Sequence, residues 1–306
     1  FGHFAKGFMW DKETEVDRFR ERVPLSNLVS QCRLADLDPS KHKPRDWISQ
    51  VKAAAKDQFV IIPELKRVEP MVGSLRKRYD ISKLAKQFIS SGAPALSVNS
   101  DQVLFGGSLE DVTELREATS KVILESSNAE DGVVVPPILA SDLILYPYQL
   151  YKLRLAGADA VNLIVGALTS KDVLYLTKIA ASLKMNVVAS VTSEVQINTL
   201  TKLGGGISAI SVSNRDLETF GFDNSGAQAL ELLKSDAMRE FRDKCSEVVV
   251  FVEGRVGMVE MENNEGEKSS QAYIDALKEA GAMGAFVGGG LAVVKDDLAE
   301  YIASLQ

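Results

Sequence analysis

The chain has 306 residues, 45% of them hydrophobic, and a formal charge of −7 with a sequence pI near 5.1. That is ample for a large core, and the acidic balance disfavours nucleic acid or an anionic membrane as a partner. Two cysteines, Cys32 and Cys245, argue against a disulfide framework and for a reducing compartment; two histidines, His3 and His42, argue against a His-based triad or metal centre. Catalysis would fall to Lys, Glu, Asp or Ser, and neither metal nor cofactor is expected. No apolar run approaches a membrane span of about 18 residues or more. The chain begins at Phe1 rather than Met, as expected of a processed or truncated product, and carries no signal-peptide pattern.

Residues 1–57 read as an N-terminal arm and helical extension, charged and helical in pattern. Val16, Phe19, Val23 and Leu25 are expected to cover one end of the domain formed by residues 58–306. Phe4, Phe8, Met9 and Trp10 form an aromatic tail that either folds back on its own domain or inserts into a partner protein.

From residue 58 to 306 short apolar strands alternate with amphipathic helices. Phe59–Ile62 precedes a helix around Ile81–Ser91, and Ala95–Val98 one over Leu109–Ala118. Val133–Leu139 leads to Tyr148–Leu155, Ala160–Val165 to Lys171–Leu183, and Asn186–Val191 to Ser193–Leu203. Ile207–Val212 leads to Gly226–Phe241, Val248–Val252 to Gln271–Gly281, and Ala285–Val287 to Leu291–Leu305. Eight such units predict a parallel sheet covered by helices, closed into a (β/α)8 TIM barrel with an N-terminal helical extension; a doubly wound open sheet is the runner-up. Gly92, Gly157 and Gly281 are placed to stop three of the helices. Asn128–Gly132 and Glu260–Lys268 read as solvated polar loops, the latter more readily than as a metal site of Glu260, Glu262, Glu265 and Glu267.

A barrel works at the ends where strands pass into the following loops. Those positions hold Glu64 and Lys66, Asn99, Ser141-Asp142, Ser190, Ser213-Asn214-Arg215, Glu253-Gly254-Arg255 and Gly288-Gly289-Gly290; Lys66 is the one lysine among them. Residues i and i+2 of a strand share a side, so Glu64 and Lys66 point into one space. They are either a surface ion pair or a carboxylate and ammonium equipped for proton transfer. The glycine run is either a tight strand-to-helix turn or a cradle of N–H groups for an anion.

These segments carry a resemblance. Arg22-Val23-Pro24-Leu25, Lys43-Pro44-Arg45-Asp46-Trp47, Glu64-Leu65-Lys66-Arg67, Phe105-Gly106-Gly107-Ser108-Leu109-Glu110-Asp111, Gly157-Ala158-Asp159-Ala160 and Asn214-Arg215-Asp216-Leu217 occur in order. With Tyr148-Gln149, Thr219-Phe220 and Val287-Gly288 they make the chain similar, from about Glu15 to Leu305, to indole-3-glycerol phosphate synthase. That family of carbon–carbon carboxy-lyases closes an indole ring on an anilino-deoxyribulose phosphate in tryptophan biosynthesis, losing carbon dioxide and water. The resemblance implies catalytic roles for Glu64, Lys66 and Glu253, a substrate-carboxylate role for Arg215, and phosphate binding at Gly288 and Gly289. It also implies a chloroplast stroma location, or otherwise the cytoplasm.

The chain departs from that pattern where chemistry matters. The family's general-acid lysine falls on Ser141, its strand-five glutamate on Ser190, and an asparagine on Ser213. A positioned general acid contributes about 10²–10⁴ in rate, which a serine hydroxyl cannot supply near neutral pH. The family's phosphate-anchoring serine falls on Glu69, where a carboxylate would repel a phosphate by about 4 kcal/mol at an effective dielectric near 20. Arg255 is a candidate to neutralise Glu69 across the mouth. The expectation is a catalytically impaired relative acting as a structural or interaction subunit. The alternatives are an active synthase and a sensor of a phosphate-bearing small molecule.

Overall fold

The computed structural model describes residues 3–56, 58–70, 72–76, 78–126, 135–216, 219, 221–262, 268–293 and 297–306. Met71, Asn128–Gly132, Val133, Leu217, Phe220, Glu265 and Glu267 lie outside the described residues, as does the side chain of Phe4.

Eight parallel strands close into a barrel: β1 (Val60–Leu65), β2 (Leu96–Asn99), β3 (Ile138–Ser141), β4 (Ala160–Ile164), β5 (Asn186–Val191), β6 (Ala209–Ser213), β7 (Val249–Glu253) and β8 (Gly284–Val287). Neighbours in sequence are neighbours in the sheet, and β8 returns to β1 with Val60 opposite Gly284. Alternate residues of each strand face opposite sides. The outward set, such as Ile61, Val98, Ala140, Leu163 and Val212, packs beneath the helices; the inward set, such as Val60, Ile62, Ala160, Val188 and Phe251, fills the barrel. Going up β1, β2, β3, β6 and β7 the inward residues change from apolar to polar, ending at Glu64, Asn99, Ser141, Ser213 and Glu253. The apolar lower part is therefore core, and the polar ends make the site.

Three helices precede the barrel: α1 (His3–Arg22), α2 (Leu25–Leu37) and α3 (Trp47–Ala54). Trp47, fully buried, closes the lower end and stacks on Phe286 with centroids 6.5 Å apart. The segment leading to it is fixed by Asp159, whose carboxylate accepts from Arg45 N (2.7 Å), Ile138 N (2.8 Å) and Arg116 Nη1 (2.7 Å). Both ends of that Arg116–Asp159 pair are inaccessible, at 3% and 0% exposed. Two of the segments that carry the resemblance, 43–47 and 157–160, thus meet as one structural joint.

The arm differs from expectation in two respects. Val16 is buried with Leu28 and Tyr148, and Phe19 and Val23 pack around them, but Leu25 is 42% exposed. Leu28, one turn further on, takes the inward place. This cluster sits against the flank of the barrel, on the helix Pro147–Ala156, and not over an end. The part of α1 that does cover an end is its first turns, which lie over the polar strand ends.

Two expected helices are each divided. Gly226–Phe241 is Ala227–Lys234 and Asp236–Lys244, because Ser235 adopts an extended backbone and its side chain caps the second helix at Met238 N. Leu291–Leu305 is Gly289–Val293 and Leu298–Ser304, the latter capped by Asp297. The ends of the 260–268 loop pair as a small antiparallel hairpin, Met261 opposite Ser269. Gly92, Gly157 and Gly281 have φ of 76°, 106° and 84° at helix ends, where a left-handed residue turns the chain out of the helix.

Candidate functional site at the upper end of the barrel

A cavity of about 200 Å³ opens among the polar strand ends. Glu64, Lys66, Ser141, Ser190, Ser213, Arg215, Glu253, Gly288 and Gly289 all line it. Asn214 does not: its amide ties Gly254 O and Tyr273 Oη to Ala229 N behind the wall.

One side of the cavity is a closed charge cluster. Lys66 Nζ lies 2.8 Å from Glu64 Oε2 and 3.2 Å from Glu69 Oε2, and Glu69 Oε1 accepts from Arg215 Nη2. Glu69 sits on a short hairpin, Val68–Glu69 with Gly73–Ser74, which turns its carboxylate inward; it is 4% exposed. Two carboxylates and two cations balance. Burial alone would lower Lys66, but Glu64 and then Glu69 more than offset it and hold the ammonium above its ordinary pKa. Both cations also face aromatic rings, Arg215 over Phe222 at 4.0 Å and Lys66 over Phe105 at 5.0 Å. Gly288 leaves room for this pair: a Cβ there would stand 2.7 Å from Glu64 Oε2 and push the carboxylate aside.

Glu253 has a different setting. Ser190 Oγ donates to its Oε1 at 2.8 Å. Burial raises its pKa; the Ser190 bond offsets part of this and the charge of Glu64 adds to it. The carboxyl is biased toward its protonated form.

The pairing of Glu69 corrects two expectations. It does not stand free at an anion site, and its partners are Lys66 and Arg215, not Arg255. The side chain of Arg255, half-buried at the mouth on a residue with φ of 59°, makes no hydrogen bond or ion pair among the described residues. The reach of Glu69 across the barrel leaves it no role as Arg255's counter-ion.

Lys66 is not the one lysine at this end. Lys12, on α1, enters from above and lies 2.9 Å from both Asp101 Oδ2 and Asp142 Oδ1, and 3.0 Å from Glu15 Oε2. It is 1% exposed. Phe8 and Met9, one turn earlier, line the cavity, while Trp10 on the opposite face of the helix is 65% exposed. The tail thus folds back on its own barrel at Phe8 and Met9. Three carboxylates round one ammonium leave a surplus of negative charge. Burial desolvates Lys12, yet Asp142 and Asp101 raise its pKa overall. Burial, opposed by Lys12 and assisted by Asp101, pushes Asp142 up to about 7.

The sequence carried a sign of Lys12. Phe8, Lys12, Val16, Phe19 and Val23 fall at helical spacing on one face, so the lysine sits within an apolar stripe. Asn162, also lining the cavity, is a polar inward residue in the apolar run Ala160–Val165.

The sequence profile of the indole-3-glycerol phosphate synthase family matches residues 6–265. The chain belongs to the indole-3-glycerol phosphate synthase family. An indole-3-glycerol phosphate synthase of Rippkaea orientalis is 32% identical over 237 residues, 78% of this chain and 73% of the relative. One from Microcystis aeruginosa is 34% identical over 76% of this chain and 71% of its own length. One from Crocosphaera subtropica is 28% identical over 99% of this chain and 89% of its own length. Among solved structures, a 4-hydroxy-2-oxoglutarate aldolase/2-deydro-3-deoxyphosphogluconate aldolase superposes with a TM-score of 0.52 at 14% identity, covering 85% of this chain and 97% of its own, a likeness of fold alone. Among the described residues no helix is long and apolar enough to cross a membrane.

Proposed function

We propose that this member of the indole-3-glycerol phosphate synthase family has lost most of the family's turnover and serves as a structural or interaction subunit. The observation that carries this is the Glu69 carboxylate bridging Lys66 and Arg215. By the family resemblance Arg215 would receive the substrate's carboxylate; here a carboxylate of the chain itself already occupies it. Displacing Glu69 would strand a buried charge, at about 3–5 kcal/mol.

The proton-transfer groups point the same way. Ser141 and Ser190 stand where the resemblance implies an acid and a carboxylate. Lys12 is no substitute for the acid, because its carboxylate neighbours hold its proton more tightly than an ordinary lysine. Loss of such groups is not additive, but a deficit of about 10³-fold or more is expected. Support for an interaction role comes from Trp10 on α1, Val72 in the turn after Glu69 and Val103 on the helix Gln102–Phe105, apolar side chains left exposed.

A second reading, an anion-responsive or residually active barrel, draws on Arg255, which lines the same cavity as Gly288 and Gly289 and whose guanidinium lacks a partner among the described residues. The deciding experiment follows indole-3-glycerol phosphate formation by wild type, Ser141→Lys, and the triple variant Ser141→Lys/Ser190→Glu/Glu69→Ser. Wild type and the single variant should stay near background while the triple variant gains activity. Rapid turnover by wild type, unimproved in the triple variant, would sink the proposal.

A further inference from the structure

We propose that the cavity binds a small uncharged polyhydroxyl molecule, a free sugar or polyol, on a row of neutral side chains centred on Asn162. This goes beyond the loss of turnover and does not depend on it.

The row is built by the strand register. Asn99 on β2 stands opposite Ser141 on β3, and Ser141 opposite Asn162 on β4. Ser190 on β5 and Ser213 on β6 continue the polar wall around the same cavity. Asn162 is 6% exposed, and its side chain makes no hydrogen bond among the described residues, Oδ1 being fully enclosed. A buried amide without a partner is destabilising, so a ligand that pairs with it recovers that loss. The Ser141 hydroxyl likewise has no partner there, and Asn99 uses its carbonyl on Asp101 N while its NH₂ remains a donor. Amides and hydroxyls both donate and accept, as ligand hydroxyls do.

The cations nearest the row already have carboxylate partners, which favours a neutral ligand there. Lys66 and Arg215 are balanced by Glu64 and Glu69, and Lys12 is held by Asp101 and Asp142. A charged ligand seated against Lys66, Arg215 or Lys12 would have to compete with these buried pairs, whereas a neutral one on the Asn162 row leaves each intact. Phe8, Met9 and Ile164 supply an apolar wall suited to the C–H face of a sugar ring. The volume, about 200 Å³, has room for a monosaccharide-sized molecule.

The test is saturation-transfer NMR titration of the full chain with D-ribose, ribose 5-phosphate and indole, in wild type, Asn162→Leu and Ser141→Ala. D-ribose should bind wild type saturably. Asn162→Leu should weaken it about tenfold (about 1.4 kcal/mol) and favour indole instead. Melting curves show that each variant is folded, and Ser141→Ala gives the same readout, a weaker ribose response, if Asn162→Leu does not fold. No saturable ribose binding, meaning that only water meets Asn162, would overturn the proposal. So would ribose 5-phosphate binding more than tenfold tighter than ribose, or indole preferred by wild type. The readout needs no turnover, so its failure is distinct from an active enzyme in the rate assay.

Discussion

Lys12, on the first helix, and Asp142, just past the third barrel strand, form an ion pair at 2.9 Å with the lysine 1% exposed. This contact fixes α1 across the cavity and sets Phe8 and Met9 into its wall. Replacing the lysine by methionine would leave Asp101 and Asp142 buried without their cation. Loss of one partner from a buried pair costs about 3–5 kcal/mol. Lys12→Met should therefore lower stability by about that amount in urea unfolding and speed amide exchange in α1; an effect below about 1 kcal/mol would place the pair in solvent.

The same cluster gives a pH dependence with a definite sign. Asp142 is pushed from an ordinary 3.8 up to about 7 by burial, in spite of Lys12. Between those values the folded chain binds more protons than the unfolded chain, so this group's contribution to stability falls as pH rises and levels off above about 7. The slope is at most about 1.4 kcal/mol per pH unit. Lys12, raised above 10.5, contributes stability below that pH which is lost as pH climbs past it. Urea midpoints from pH 4 to 8 should show a component with this sign in wild type that Asp142→Asn removes. Identical pH profiles for the two proteins would refute the assignment.

Glu69 occupies a place that an external carboxylate could take. In Glu69→Ala, Lys66 keeps Glu64 while Arg215 loses a buried partner. Anthranilate should bind this variant at least about tenfold more tightly than wild type, about 1.4 kcal/mol by calorimetry, with the gain shrinking at high salt. Equal affinities would show that Glu69 does not shield the two cations.

Arg116 and Asp159 carry a structural role that the resemblance alone did not define. Because Asp159 also holds Arg45 N and Ile138 N, Arg116→Met should cost about 3–5 kcal/mol without altering ligand binding at the upper end. Thermal melting with and without D-ribose separates the two effects.

The strand pattern was legible because both faces of a barrel strand are buried, one beneath the helices and one inside the barrel, so the strands appear as apolar runs. The run expected at Val133–Leu139 shares only Ile138 and Leu139 with β3. Helix breaks were harder to read. Ser235 interrupts an apolar stripe that continues in phase on both sides, so periodicity reads through it. Leu25 and Leu28 are one turn apart, and only packing against Tyr148 decides which is inside. At the site, Glu64 and Lys66 were legible as strand neighbours. Glu69 and Arg215 were not, because they meet from opposite sides of the barrel, 146 residues apart in sequence. Lys12 was missed because a lysine in an apolar stripe reads as a solvent-facing interruption until its buried acidic partners are known.

The central claim is that a self-paired site replaces a catalytic one, and kcat of the wild-type chain with saturating anilino-deoxyribulose phosphate tests it most directly. That kcat should be at most about 10⁻² s⁻¹, about 10³-fold below the enzyme median of about 10 s⁻¹. A kcat near about 10 s⁻¹ would contradict it.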